Sequence, residues 1–273
     1  MKLGAYLRNM GPQSTRATLL ACARAAEAAD LDDLWVADHI AIPPDDAEGS
    51  GGRYLDPLAT LAFLAGATER IGLGTGVLVL PYRPPLATAK WVATIQELSA
   101  ERLLLGVGVG WMEAEFRVVG VARGDAAVVT DVTLAFLQRC FASDEVEANG
   151  QRFLFRPRPS RPPILVGGAA PHALRRAARF GDGWMPMARD AAALRPDVER
   201  LRALMADAGK PAPAVVVLTA LPLHDPAAAM ARAREFLAAG ATHLVHAARY
   251  DDADAFRRAV DVLATRVAPA LAG

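Results

Sequence analysis

With 273 residues, 53% of them hydrophobic and 22% charged, the chain is long enough to bury a large core and too apolar to stay disordered. Its 30 basic and 30 acidic side chains cancel, which argues against a nucleic-acid partner, and its two cysteines are too few for a disulfide scaffold. It has neither a basic segment followed by an apolar stretch nor a run of about 18 apolar residues, so we expect a cytoplasmic protein without a signal peptide or membrane span.

Short apolar runs alternate with longer helical patterns about eight times along the chain. Ser14 or Thr15 is placed to cap the first helix, and Asp56 before Pro57 has the pattern of an N-cap followed by a first helical residue. The predicted strands are residues 2–7, 33–37, 71–80, 102–109, 164–166, 183–187, 215–221 and 242–247. The first predicted helix starts at residue 14 or 15. The other predicted helices span 56–68, 85–98, 131–141, 171–180, 191–208, 226–239 and 252–267.

Eight such alternations in one chain of this length favour a (β/α)8 TIM barrel that forms a single domain over residues 1–273. The rival is an open doubly wound sheet, which would lack its usual glycine fingerprint after the first strand. Residues 142–160 break the alternation. They contain Asn149-Gly150 between two short β-like pieces, which predicts a hairpin excursion before the fifth barrel strand.

Asp38 and His39 directly follow the apolar strand that ends at Ala37. In parallel α/β folds the carboxyl ends of the strands surround the active site, and histidine is the usual proton carrier near neutral pH. The two side chains are therefore the best candidates for acid–base chemistry. The alternative is an aspartate that caps a turn beside a partly exposed histidine.

Two glycine-rich stretches follow other strands. Gly106, Gly108 and Gly110 precede Trp111, which indicates either a backbone that a flat ligand approaches closely or a strand that bends beside a bulky neighbour. Residues 167–170 (Gly-Gly-Ala-Ala) join a strand to a helix. They would either expose backbone N–H groups that can bind a phosphate or form only a tight connection. The chain shows no spacing typical of metal ligands, so no metal site is predicted.

Four segments together resemble the bacterial luciferase-like family of flavin and deazaflavin enzymes. They are LWVADH (34–39), DPLATLAFLAGATERIGLGTGVLVLPYRPPLATAKWVATIQELS (56–99), ERLLLGVGVGWMEAEF (101–116) and PPILVGG with ARFGDGW (162–168 and 178–184). The resemblance covers nearly the whole chain. It implies a (β/α)8 barrel that holds reduced flavin or coenzyme F420, an 8-hydroxy-5-deazaflavin, at its mouth.

The resemblance also implies roles for particular residues. Asp38 and His39 match an acid–histidine pair beside the ring and the substrate, with Asp38 also in contact with the cofactor. The stretch Thr75, Gly76 and Val77 matches a bulge behind the ring, with a non-proline cis peptide bond at Gly76–Val77. The remaining cofactor contacts implied are Gly108, Gly110 and Trp111 along the ring and ribityl chain, and Gly167, Gly168, Ala169 and Ala170 around the phosphate.

The chain departs from the family pattern in three places, one of which is Thr130-Asp131, where an Asp-Glu pair is customary in the helix after the fourth strand. Glu101 stands where a glycine usually precedes the arginine, and Trp111 stands where some relatives carry an acid. The departure at Trp111 disfavours a sugar-phosphate dehydrogenase. The chain is also short for the family, so we expect few covering insertions and an open mouth.

The leading hypothesis is an oxidoreductase that transfers a hydride between F420 and a small organic substrate. The first alternative is a monooxygenase dependent on reduced FMN, and the second is a barrel that binds a ligand without turnover. Relatives that pair through outer helices suggest a homodimer. The substrate and the direction of hydride transfer stay open.

Overall fold

Eight parallel strand positions close into a ring in the computed structural model, which describes residues 1–271. Backbone pairing runs around the ring and closes because β1 pairs with β11 and β3 pairs with β5. The (β/α)8 barrel is thereby confirmed, and the open sheet is wrong. The strands are β1 Lys2–Tyr6, β2 Asp33–Val36, β3 Gly72–Thr75, β4 Leu78–Val79, β5 Leu103–Gly108, β6 Glu145–Ala148, β7 Gln151–Leu154, β8 Ile164–Gly167, β9 Gly183–Met185, β10 Ala214–Thr219 and β11 His243–His246.

Helices surround the ring and begin with the caps that the sequence suggests. Thr15 accepts a hydrogen bond from the Thr18 amide, and Asp56 accepts one from the Ala59 amide. No helix within residues 1–271 has the length and apolar character needed to cross a bilayer. The helices are α1 Arg16–Ala28, α2 Pro57–Ala65, α3 Pro85–Leu98, α4 Glu113–Val119, α5 Ala126–Ala142, α6 His172–Phe180, α7 Ala191–Asp207, α8 Pro226–Ala238, α9 Ala253–Val262 and α10 Ala268–Ala270.

The third barrel position is interrupted, whereas the sequence predicts one strand over residues 71–80. β3 pairs with both β2 and β5, the chain then bulges at Gly76 and Val77, and β4 resumes pairing with β5 alone. The peptide bond between Gly76 and Val77 is cis, as the family resemblance implies. The bulge turns this part of the backbone toward the open end of the barrel.

The segment after β5 differs from the prediction of a loop followed by a helix at residue 131. It forms the short helix α4, and α5 begins five residues earlier than predicted. Phe116 of α4 packs in a small apolar cluster with Val79, Tyr82 and Ala126. A seven-residue helix has little stability of its own, so this packing, which the sequence pattern does not reveal, stabilises it.

The excursion before β8 is the predicted antiparallel hairpin of β6 and β7. Its turn residues Asn149 and Gly150 have φ of 51° and 75°, the left-handed values that a tight hairpin turn requires. Because α5 returns the chain to the amino-terminal end of the strands, the hairpin lies at the end of the barrel opposite the mouth.

The interior of the barrel is filled below its mouth. Trp35, Leu165, Met185, Val216 and Val245 form an apolar cluster inside the ring, while a larger core lies between strands and helices. A ligand therefore has room only above this cluster, at the carboxyl ends of the strands.

The turn between α3 and β5 contains two non-glycine residues in the left-handed region. Ala100 has φ 52° and Glu101 has φ 63°. Arg102 follows them and donates hydrogen bonds to the carbonyl groups of Ala65, Thr68, Ile71 and Ser99. The family pattern has glycine at position 101, and glycine adopts this left-handed conformation without strain. Glu101 adopts it at a cost in conformational free energy.

We expect Ala100→Gly to stabilise the protein by about 1 kcal/mol, because glycine adopts positive φ without the clash that a Cβ atom causes. Ala100 is exposed, so the change removes little packing. Urea unfolding followed by circular dichroism measures the effect.

The matched control is Ala203→Gly on the exposed face of α7, where the same change should cost roughly 0.5–1 kcal/mol. Equal effects of the two substitutions would contradict the assignment of backbone strain to residue 100.

Candidate active site

A cavity of about 1180 Å³ opens at the carboxyl ends of the strands. All but one of the predicted site residues line it. The exception is Thr75, which is fully buried and donates its hydroxyl hydrogen bond to the Gly106 carbonyl at 2.6 Å. Its side chain joins β3 to β5 and does not line the cavity, so a cofactor contact of Thr75 stays a prediction that this geometry does not favour. Those that do line the cavity are Asp38, His39, Gly76, Val77, Gly108, Gly110, Trp111, Gly167, Gly168, Ala169 and Ala170.

Val77 lies between the ends of two neighbouring strands on the cavity wall. A Cβ atom added at Gly108 would lie 2.6 Å from Val77 Cγ2, and one added at Gly167 would lie 2.8 Å from Val77 Cγ1. Glycine at both positions therefore lets the bulge pack directly against the backbone of β5 and β8. The result is a low apolar shelf, formed by the side chain of Val77 and the main chain around it.

A loop of small residues borders the shelf at the start of α6. In residues 1–271, the backbone N–H groups of Gly168, Ala169 and Ala170 donate no intramolecular hydrogen bond. The loop is held from behind by Trp184, whose Nε1 donates to the Gly168 carbonyl at 2.8 Å. Three free donors at a helix start are suited to a phosphate oxygen.

Trp111 forms a side wall of the cavity and is not a core residue, since 70% of its surface is exposed. Gly110 before it has φ 77°, and a Cβ atom there would lie 2.7 Å from Val79 and 2.9 Å from Phe116. Only glycine fits both constraints. The indole lies edge-on to the His39 ring, with 5.9 Å between ring centroids, and Tyr54 lies 5.0 Å from that ring on another side.

His39 is paired with Glu115, not with its sequence neighbour Asp38. The distance from His39 Nδ1 to Glu115 Oε2 is 2.9 Å. Glu115 is fully buried and also accepts hydrogen bonds from the Tyr82 hydroxyl at 2.9 Å and from the amides of Ile40 and Ala41 at 2.5 and 3.0 Å. The Glu115 carboxylate thus connects α4 to the loop after β2 and to the segment after β4, and it does so next to His39.

Burial would raise the pKa of Glu115, but the amide and hydroxyl hydrogen bonds and the nearby imidazole together lower it below the ordinary value. The carboxylate is therefore ionised and accepts, so Nδ1 of His39 is the nitrogen that carries the proton. Nε2 has no partner among the described residues, and His39 lines the cavity. Nε2 is left free to accept a proton from, or donate one to, a bound molecule.

Sequence reasoning missed Glu115. The residue stands inside the quoted segment ERLLLGVGVGWMEAEF, but a single glutamate beside Glu113 reads as an ordinary charge on a helix start. No local signal marks it, because adjacent helical residues point in different directions and the burial of Phe116 depends on tertiary packing. Its partner could not be read from the sequence, since 76 positions separate it from His39.

The Asp38 carboxylate forms hydrogen bonds within the protein that the sequence did not reveal. Its carboxylate has no exposed surface and forms two hydrogen bonds with Arg83, at 2.6 and 2.9 Å, and a third with the Val79 amide. Burial raises the pKa of Asp38, and the Arg83 guanidinium opposes that shift. Asp38 therefore anchors the segment after β4, and the predicted catalytic role by direct contact with substrate does not fit this geometry.

Comparison with known proteins places the chain among oxidoreductases. A family model described as luciferase-like monooxygenase matches residues 3–270. An uncharacterised protein of Mycobacterium tuberculosis is 32% identical over 209 residues, which are 70% of this chain and 72% of that protein. An F420-dependent hydroxymycolic acid dehydrogenase of Mycobacterium tuberculosis is 30% identical over 187 residues, 63% of this chain and 49% of that one.

Among solved structures, the monooxygenase RslO1 from Streptomyces bottropensis matches with a TM-score of 0.84 and 18% identity. The match covers 98% of this chain and 99% of that one. At this identity the likeness shows the shared fold alone.

We expect Glu115→Gln to lower the free energy of unfolding at pH 7 by roughly 1–3 kcal/mol, because the amide group turns one acceptor into a donor facing other donors. Since the pKa of Glu115 is lowered in the folded state, the loss is full above about pH 4.3 and shrinks as the pH falls through that lowered pKa. Urea unfolding at several pH values measures it.

A second readout is the ¹⁵N spectrum of the His39 ring, in which the variant should lose the fixed Nδ1–H form. Tyr82→Phe is the control, because it removes one donor and leaves the carboxylate beside His39. An unchanged ring spectrum in Glu115→Gln would contradict the pairing.

Proposed function

The chain belongs to the luciferase-like monooxygenase family, and we propose that within it the protein transfers a hydride between coenzyme F420 and a small organic substrate. One observation carries this proposal. The shelf around Val77, the free N–H groups of residues 168–170 and the His39–Glu115 pair all border the same cavity.

The residues present fit a flat, phosphate-bearing cofactor. Val77 and the glycine backbone at positions 108 and 167 supply an apolar surface without projecting side chains. The three backbone donors at positions 168–170 are open, because none of them donates an intramolecular hydrogen bond within residues 1–271. The ring would rest against Val77, with the phosphate at the start of α6.

When bound, the deazaflavin gives or takes the hydride. The remaining chemistry is a proton transfer, for which Nε2 of His39 is the available group. In oxidation of an alcohol, neutral Nε2 takes the hydroxyl proton as the hydride leaves the carbon. In the reverse direction the protonated ring returns that proton to the carbonyl oxygen. Glu115 stabilises the imidazolium that forms, and Tyr54 and Trp111 hold the ring in place.

The second candidate is a monooxygenase that uses reduced FMN, favoured by the family model, which is described as luciferase-like monooxygenase. Oxygen activation calls for a closed site, because water and stray protons compete with it. Here the cavity-lining residues Trp111 and Met187 are 70% and 87% exposed, so this side of the mouth is open to solvent. The open mouth therefore supports F420 over FMN.

A barrel that binds a ligand without turnover is the third reading. It would be favoured by a blocked phosphate loop or by a histidine without an acid partner. The open donors of the loop and the buried Glu115 beside His39 both argue against it.

We expect the purified protein to bind F420 tightly and reduced FMN at least about tenfold more weakly, measured by absorbance and fluorescence titration. Ala169→Asp should weaken F420 binding about tenfold or more, because it places a negative charge beside the phosphate donors. Ala203→Asp on α7 is the matched control for an added charge. Tighter binding of reduced FMN would replace the leading proposal by the monooxygenase.

We expect His39→Gln to lower turnover by roughly 10²–10⁴-fold, because the amide cannot carry the proton. Affinity for the cofactor, measured by the same titration, should stay within about threefold of the original, since His39 does not border the phosphate loop. Steady-state kinetics with secondary alcohols and F420 tests the turnover. Unchanged turnover in a folded variant would exclude His39 as the proton carrier.

A further inference from the structure

Arg8 is a buried cation without a partner of its own. It is 9% exposed, and no carboxylate, carbonyl or hydroxyl group in the described chain accepts a hydrogen bond from its guanidinium. Other well-buried guanidinium groups are satisfied, since Arg83 pairs with Asp38 and Asp56, and Arg176 pairs with Asp131. A buried charge that lacks a counter-charge is costly, so an acceptor from outside the chain is expected.

The backbone that carries Arg8 is held in a fixed place at the cavity wall. Arg8 lines the cavity, and its backbone amide donates to the Tyr250 hydroxyl at 2.9 Å. The next residue, Asn9, bonds through its side chain to the backbone of Ala37 and Leu55. Arg8 therefore belongs to a pre-formed wall and not to a loose loop.

The position in the ring separates Arg8 from the phosphate loop. Around the barrel, β8 is the fifth strand position counted from β1, which places the two strands across the ring from each other. Arg8 follows β1, whereas the free N–H groups of residues 168–170 follow β8. His39 follows β2, the direct neighbour of β1. Arg8 thus lies on the side of the proton-carrying histidine.

Two hydroxyl groups accompany the guanidinium. Tyr6 and Tyr54 line the same cavity, and neither hydroxyl has a hydrogen-bond partner within residues 1–271. Burial raises the pKa of both phenols, and the positive charge of Arg8 offsets part of that shift in each. Both therefore stay protonated as donors at neutral pH. No described acid forms an ion pair with Arg8. Asp38 is bound by Arg83, Glu115 is bound by His39, Tyr82 and two amides, and the other cavity-lining acids, Glu48, Asp190 and Asp197, lie more than 4.0 Å from its guanidinium.

We propose that Arg8, together with the hydroxyl groups of Tyr6 and Tyr54, binds a carboxylate group of the substrate, so that the enzyme acts on a small organic acid. A guanidinium fork matches the two oxygens of a carboxylate, and a single cation with two phenols suits one negative charge better than a phosphate dianion. The inference rests on the proposed function, because it assigns the substrate class of that same site. The carboxylate would hold the substrate with its reacting carbon between the shelf and His39.

The test uses benzoate and its uncharged counterpart benzamide as probes, titrated by calorimetry into the cofactor-loaded protein. We expect the protein to bind benzoate at least about tenfold more tightly than benzamide. Arg8→Gln should weaken benzoate binding about 10–100-fold and leave benzamide binding unchanged, while Arg8→Lys keeps part of the preference.

Arg249→Gln is the matched control. It removes an exposed guanidinium from the rim of the same cavity and should change benzoate binding by less than about threefold, because solvent screens that charge. Thermal unfolding of Arg8→Gln checks the fold, and no loss of stability is expected from removal of an unpaired buried charge.

The inference is overturned if benzoate and benzamide bind the original protein equally well. It is also overturned if Arg8→Gln leaves benzoate binding unchanged. Loss of cofactor binding in Arg8→Gln with intact benzoate binding also overturns it and assigns Arg8 to the cofactor. The same titrations are made with the cofactor-free protein. Benzoate binding there that depends on Arg8, in a protein that binds neither F420 nor FMN, would refute the proposed function and leave the carboxylate site standing.

Discussion

The pairing of β1 with β11 and of β3 with β5 closes the ring, and this closure brings distant segments into one site. Once eight parallel strands form a ring, all their carboxyl ends meet at one mouth. Residues separated by more than a hundred positions, such as His39 and Gly167, then border one cavity. Because an apolar cluster fills the ring below, a ligand can lie only at this mouth.

With one exception, the buried charged groups discussed above have partners within the protein. Glu115 is matched to His39 and Tyr82, and Asp38 is matched to Arg83. These pairs fix the loops around the cavity, and they explain why two adjacent residues, Asp38 and His39, have separate partners. Arg8 is the buried guanidinium of the described cavity wall that keeps an unmatched charge, which is the pattern of a group reserved for a ligand.

Local patterns in the sequence were sufficient for much of the fold. The alternation of apolar runs and helical periods, the cap at Asp56 and the turn at Asn149-Gly150 depend on neighbouring residues, and the structure follows them closely. The local pattern predicted neither the break in the third strand, which only the family resemblance implied, nor the short helix α4. A bulge and a seven-residue helix are stabilised by contacts with other elements.

The sequence by itself determined the barrel, the location of the site at the strand ends and the position of His39, since periodicity and strand order are local properties of the chain. Only the tertiary structure decided the partner of His39, the exclusion of Thr75 from the cavity and the isolation of Arg8. Those facts depend on which side chains meet across the ring. Hydrogen bonds and ion pairs between residues dozens of positions apart leave no periodic trace in a single sequence.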